Sequence, residues 1–183
     1  MKIKLFFYFT VINLVLALGL SGCGYTTHSL IASKYKTIYI TPFVNKVDVA
    51  SEANIANQYR IYKPMIESGI TQYVTNQYLS DGNIRPVKYG QADLILKGEV
   101  VEFRKDPLRY DSANEVSEYR INLVVNISLW DSDENKLIWQ ENNFTGDTTY
   151  FALGPESKTE DAAVVDALKD LSRRIVERTV EQW

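Results

Sequence analysis

From Tyr119 to Trp130 the chain alternates without a break, with Tyr119, Ile121, Leu123, Val125, Ile127 and Leu129 on one parity and Arg120, Asn122, Val124, Asn126, Ser128 and Trp130 on the other. A period of two sustained this long specifies a strand with one buried and one mostly polar face. Two more extended runs flank it. ADLILKGEVVEFRKDPLRYD begins apolar and turns basic near Arg104, Lys105 and Arg109, and KLIWQENNFTGDTTYF follows the polar turn DSDENK. The three runs predict an antiparallel meander. Upstream, KTIYITPFVN reads as one strand rich in β-branched and aromatic residues, with Pro42 marking an edge or bulge because it cannot donate to a ladder. A short strand is expected around Ile84 to Lys88.

Two segments change to helical spacing. In YKPMIESGITQYVTNQYLSDG, Ile66, Ile70, Tyr73, Val74 and Tyr78 recur three or four apart, Pro64 suits a first turn, and Gly82 stands where the helix should stop. Gly69 weakens that pattern, since Gly costs about 1 kcal/mol relative to Ala in a helix. Near the end, Val164, Leu168, Leu171, Ile175, Thr179 and Trp183 form one stripe, and Ser157 with Glu160 suggests a capping box. Such a stripe predicts a core face. Residues 45 to about 62 read as a loop or insertion. The order of elements predicts an α+β two-layer sandwich, a mostly antiparallel four- to five-stranded sheet with two helices on one face. The other face, bearing Val124, Trp130 and Tyr110, reads as a solvated surface with scattered apolar residues; a binding surface is the alternative.

The N-terminus follows a different logic. Lys2 and Lys4 precede an apolar run over residues 5 to 20, broken only by Thr10, Asn13 and Gly19 and ending in Ser21-Gly22-Cys23-Gly24. A membrane span needs about 20 apolar residues; this shorter run with a small-residue end has the layout of a secretory signal peptide. Leu20-Ser21-Gly22-Cys23 resembles the lipobox of bacterial lipoproteins. That resemblance implies removal of residues 1–22, acylation of Cys23 and a lipidated tether over residues 23–34, with a single domain over residues 35–183. Cys23 is the sole cysteine, so no disulfide can form within the chain. Several acyl chains on one residue hold a protein to a bilayer stably. In that class Asp after the Cys signals inner-membrane retention; Gly24 here implies the outer membrane, facing the periplasm.

Without Lys2 and Lys4 the chain has 18 basic against 23 acidic residues, a balance that argues against a general nucleic-acid binder. His28, the only histidine, falls in the tether, which leaves no Ser-His-Asp or Cys-His site. There is no metal-ligand spacing and no glycine-rich phosphate loop. A carboxylate pair acting on a glycoside is permitted by any chain with 23 carboxylates, so it carries no weight. The reading is a non-enzymatic protein without a cofactor.

Taken together, the GCGY at residues 22–25 after the lipobox, KTIYITPFVN, ADLILKGEV, PLRYDSANEVSEYRINLVVNISLWD, LIWQENNFTGDTTYF and a helix ending in Trp183 resemble the LptE family of LPS-assembly lipoproteins. The departure is SEANIANQYRIYKP, residues 51–64, longer than that family's link from first strand to first helix. The resemblance implies an outer-membrane lipoprotein that plugs the large LptD-like β-barrel, helps it fold and assists delivery of lipopolysaccharide to the surface. Periplasmic regulators of peptidoglycan synthases and curli-type secretion lipoproteins are the alternative, disfavoured by the long meander. For lipopolysaccharide phosphates the candidates are Arg104, Lys105 and Arg109, since clustered cations make charge-assisted bonds to phosphate. Asp106 and Asp111 interrupt that patch and favour the competing reading, a solvated turn.

Overall fold

The computed structural model describes residues 34–47 and 63–180. Cys23, His28, most of the 45–62 loop and Trp183 lie outside the described residues. In chain order the elements are β1 (Thr37–Ile40), β2 (Val44–Asn45), α1 (Ile66–Asp81), β3 (Arg85–Pro86), β4 (Leu94–Tyr110), β5 (Val116–Asp131), β6 (Lys136–Phe151) and α2 (Glu160–Val180).

The strands form one sheet in the order β3-β1-β4-β5-β6, with β2 also paired to β4. The three long strands are the predicted antiparallel meander. The short strands β1, β2 and β3 pair in parallel, so the sheet is mixed and has six strands, more than the four to five expected. KTIYITPFVN is also not one strand. β1 stops at Ile40, the chain steps through Pro42, and Val44 and Asn45 resume pairing farther along β4. Pro42, having no N–H, occupies the gap between pairings. Thr41 N and Lys46 N donate to Leu96 O at 2.9 Å and Val100 O at 2.8 Å.

Both helices lie on the face lined by Ile121, Leu123, Val125, Ile127 and Leu129, each at most 1% exposed. Burial of such side chains is worth roughly 1.5–3 kcal/mol apiece. α1 contributes Ile66, Ile70, Val74 and Tyr78 to the same core, and α2 contributes Val164, Leu168, Leu171 and Ile175. Two glycines let other groups lie flat on the strands: a Cβ on Gly98 would fall 2.1 Å from the Phe43 ring, and one on Gly146 would fall 2.5 Å from Leu171 Cα. The helices run side by side in the same direction. Lys63 Nζ meets Asp161 Oδ1 at 2.7 Å near their starts, and the Tyr78 hydroxyl donates to Thr179 Oγ1 at 2.7 Å near their ends.

α1 ends as predicted, with Gly82 at φ 76° and its N–H donating to Tyr78 O at 3.1 Å. The start of α2 differs from the expected capping box. Thr159 Oγ1 accepts from Ala162 N at 3.2 Å, Ser157 belongs to the preceding turn through its N–H to Gly154 O, and Glu160 faces Lys105. A hydroxyl at Thr159 is placed to reach the third N–H of the helix, which one at Ser157 is not.

The meander is long. At about 3.3 Å per residue, the 17 residues of β4 extend roughly 56 Å. Its proximal half, where β4 begins and β5 ends, is flanked by β1, β2 and β3; its distal half, reaching to the 111–115 turn, is three strands wide.

Candidate functional site

Strand geometry distributes the three candidate cations. Along β4, Leu94, Leu96, Gly98 and Val100 face the helices until a bulge at Val101 inverts the alternation. Beyond it Phe103 and Lys105 face the helices, and Arg104 lies on the outer face opposite Asn122. A second bulge, at Leu108, returns Arg109 to the outer face opposite Glu118. Arg104 and Arg109 therefore share one face and Lys105 occupies the other.

Each has partners within the fold. Arg104 Nε donates to Asp106 Oδ2 at 2.7 Å and its Nη1 lies 3.4 Å from Glu102 Oε1. Lys105 Nζ lies 2.7 Å from Glu160 Oε2 and 4.2 Å from the centre of the Tyr119 ring. Burial by itself would lower the Lys105 pKa; the bonds to Glu160 and Tyr150 outweigh it and leave the pKa raised. Arg109 lies 3.5 Å from Glu118 and 5.9 Å from the Phe151 ring, with its side chain 66% exposed.

Register adds a cation to this set. Arg120 on β5 is the partner of Asp106 on the outer face, diagonal to both Arg104 and Arg109, and diagonal cross-strand neighbours are about 7–8 Å apart. The Asp106 carboxylate is engaged by Arg104 and by Asn122 Nδ2, the latter at 2.9 Å. Exposed Arg120 has no side-chain partner among the described residues. Its signal in the sequence is its polar position in the alternating run; what pairs it with Asp106 is a register set by two bulges.

The distal turn is built by Asp111, whose Oδ1 accepts from Ala113 N and Glu115 N at 2.8 Å each, with Asn114 at φ 62°. Beside it Leu108, Tyr110 and Leu153 are 41, 52 and 46% exposed. On the outer face Val124 is only 8% exposed, against the expectation of a scattered surface residue.

At the proximal end two aspartates fix the start of β1. Asp131 Oδ1 accepts from Asp133 N and Glu134 N, and its Oδ2 accepts from the Tyr35 hydroxyl at 2.7 Å. Asp93 Oδ2 accepts from Lys36 N at 2.8 Å and Thr37 N at 2.9 Å. The bond from Glu134 N, then that from Tyr35, holds the Asp131 pKa below the ordinary carboxylate value; the bond from Lys36 N leads the same shift at Asp93.

β6 forms an edge of the sheet, and α2 covers part of it. Asp147 N donates to Asp170 Oδ2 at 3.1 Å, Arg174 meets Asp147 at 3.3 Å, and Arg178 meets Glu141. Edge groups satisfied in this way are less available for pairing with another chain. The groove between β6 and α2, about 590 Å³, is lined by Arg173, Arg174, Arg178, Glu141 and Glu177, and each arginine is paired, Arg173 with Glu177, Arg174 with Asp170 and Asp147, and Arg178 with Glu141. Among the described residues no group of three His, Cys, Asp or Glu is placed to hold a metal ion, and no helix is long and apolar enough to cross a membrane.

The family described as LptE, lipopolysaccharide-assembly, matches residues 35–179. No curated protein matches the chain. Among solved structures, a hypothetical protein from Chlamydia trachomatis is 13% identical, with a TM-score of 0.50 over 79% of this chain and 95% of that one, a likeness of fold alone. A protein from Xanthomonas campestris is 17% identical, with a TM-score of 0.49 over 80% and 84% of the two chains. A minor lipoprotein from Acinetobacter baumannii is 13% identical, with a TM-score of 0.49 over 81% and 94%.

Proposed function

The chain belongs to the LptE lipopolysaccharide-assembly family, and from that membership we propose that it is a non-enzymatic outer-membrane lipoprotein, anchored through Cys23, that occupies an LptD-like β-barrel and assists its assembly and the delivery of lipopolysaccharide to the outer leaflet. Residues 35–183 act as one domain on the tether of residues 23–34. The observation that carries the barrel reading is the distal half of the meander. It is three strands wide and polar on its outer face, and it projects past the start of α2, which meets the sheet at Lys105 and runs from there toward Glu141. Strands are about 4.8 Å apart, so this half is slender, and a polar face suits the water-lined interior of a large barrel.

Length supports an orientation. The apolar band of a barrel is about 25 Å tall, close to half of the roughly 56 Å meander. The distal half enters the lumen, and the proximal end, where Asp93 and Asp131 receive the chain from the tether, stays at the periplasmic mouth near the leaflet that holds the acyl chains. For lipopolysaccharide phosphates the outer-face arginines Arg104 and Arg109 are joined by Arg120; Lys105, bonded to Glu160 on the helix face, is placed to hold α2 to the sheet.

Depletion of the protein from growing cells tests the function. Folded barrel in the outer membrane and lipopolysaccharide at the cell surface should both fall. Depleted cells with normal barrel and normal surface lipopolysaccharide would contradict the proposal.

A further inference from the structure

The proximal half of the outer face carries a band that the barrel reading does not use. Cross-strand register lines up Tyr39 on β1, Ile95 on β4, Trp130 on β5 and Leu137 on β6 as one row across the sheet. Tyr89, 73% exposed, extends it with an edge-on contact to the Tyr39 ring at 5.4 Å. Tyr39, Ile95 and Trp130 are half-buried and Leu137 is exposed. A row that spans four adjacent strands is a contiguous apolar strip, unlike the scattered apolar residues normal on a surface.

Its surroundings are those of a lipid–water interface. Lys97 Nζ stands 4.4 Å over the Trp130 ring, and Trp130 Nε1 donates to Ser128 Oγ at 2.9 Å, so the indole is apolar on its body and polar at its tip. Trp and Tyr rings of this kind concentrate at the headgroup level of bilayers. Arg85, the register partner of Thr37, and Lys88 are exposed near the same corner and have no side-chain partner among the described residues. The carboxylates on this half of the face are Asp93, already accepting from Lys36 N and Thr37 N, and Glu99, while Asp133 and Glu134 lie exposed in the turn at the β5–β6 end of the strip. Anionic headgroups would meet Arg85, Lys88 and Lys97 on the β3 side of the strip, and each such cation near a membrane surface favours binding.

The tether gives the strip its neighbour. The described chain begins at Lys34, and Tyr35 is tied to Asp131, the residue after Trp130. Lys34 is eleven positions after Cys23, and even fully extended that stretch reaches no more than about 40 Å. An acylated Cys23 therefore keeps this corner within that distance of the bilayer.

We propose that, before it meets its barrel, the lipoprotein rests on the bilayer with the Tyr39–Ile95–Trp130–Leu137 strip at the interface, and that Arg85, Lys88 and Lys97 meet anionic headgroups. This rests on the anchoring at Cys23 proposed above. The resting contact covers the strip and adds a second membrane attachment at the same corner as the lipid.

The test uses the full mature lipoprotein, its acylation measured by mass, in barrel-free vesicles of phosphatidylethanolamine and phosphatidylglycerol containing lipids brominated near the glycerol end of the acyl chain. Emission from Trp130 should be quenched, and the quenched component should disappear in Trp130→Phe. It should weaken in vesicles of phosphatidylcholine alone and in the combined variant Arg85→Glu, Lys88→Glu and Lys97→Glu. Equal quenching of the wild type and Trp130→Phe would overturn the proposal. So would a Trp130 emission that ignores the brominated lipid and shifts only as protein density rises, which would assign the strip to a second copy. A protein that carries no acyl chains and does not float with the vesicles would also overturn it, and the measured mass distinguishes that failure of the anchor from a failure of the strip.

Discussion

Lys105 Nζ lies 2.7 Å from Glu160 Oε2, joining the middle of β4 to the first residue of α2. The pair is partly buried, with side chains 22 and 36% exposed, so its contribution exceeds that of an open surface pair. A charge-assisted bond in this setting is worth about 1–2 kcal/mol. Lys105→Ala should lower unfolding stability by that amount in denaturant titration while leaving lipopolysaccharide affinity unchanged. A loss of affinity with unchanged stability would reverse the role assigned to Lys105.

The outer-face arginines predict the opposite for affinity. Replacing Arg104, Arg109 and Arg120 together by Ala should weaken binding of lipopolysaccharide and flatten its dependence on salt, because exposed charges are the ones salt screens. Stability should also fall, by up to about 1 kcal/mol per pair, because Arg104 and Arg109 are 42 and 66% exposed but their partners Glu102, Asp106 and Glu118 are only 15, 25 and 15% exposed. Affinity is therefore compared where both proteins are folded. Affinity that is unchanged at both low and high salt would remove these residues from lipopolysaccharide binding.

Gly146 predicts a packing effect. A Cβ there would meet Leu171 Cα at 2.5 Å and Leu171 N at 2.6 Å, and those are helix backbone atoms that cannot rotate aside. Gly146→Ala should cost about 1–3 kcal/mol as α2 is pushed from β6. Thermal or denaturant unfolding measures it, and an unchanged midpoint would contradict the observed approach of helix to strand.

The proximal corner predicts a pH dependence. Asp93 and Asp131 have folded-state pKa values below the ordinary carboxylate value. Their contribution to stability is complete above the unfolded value of about 3.9 and is lost as pH falls through the lower folded values. Asp131→Asn should flatten the wild type's loss of stability below about pH 4. A wild-type curve that is already flat there would contradict the bonding at Tyr35, Asp133 and Glu134.

The alternation from Tyr119 to Trp130 made β5 and its buried face legible, and the stripe from Val164 to Thr179 did the same for α2, because in both the pattern is local and matches the period of the element. The parallel pairing of β1, β2 and β3 was not legible: it depends on a crossover through α1 and on residues distant in sequence. Nor were Gly98 and Gly146, whose roles depend on Phe43 and Leu171 arriving from elsewhere. The grouping of Arg104, Lys105 and Arg109 shows the same limit at the candidate site. Adjacent residues of a strand face opposite ways, and residues five apart share a face only because a bulge at Leu108 inserts one position between them. Arg120 joined them through cross-strand register, which neighbours in sequence do not reveal.

Whether the distal half of this fold lies inside a β-barrel is read by a photo-crosslinking amino acid placed at Arg120 and, separately, at Thr149, its neighbour across β5 and β6. Irradiation of intact cells followed by denaturing electrophoresis should give adducts with the large outer-membrane barrel from both positions, and the same label at Glu134, in the exposed turn at the proximal end, should give few or none. Barrel adducts from Glu134 alone, or none from Arg120 and Thr149 in cells that display lipopolysaccharide normally, would contradict that placement.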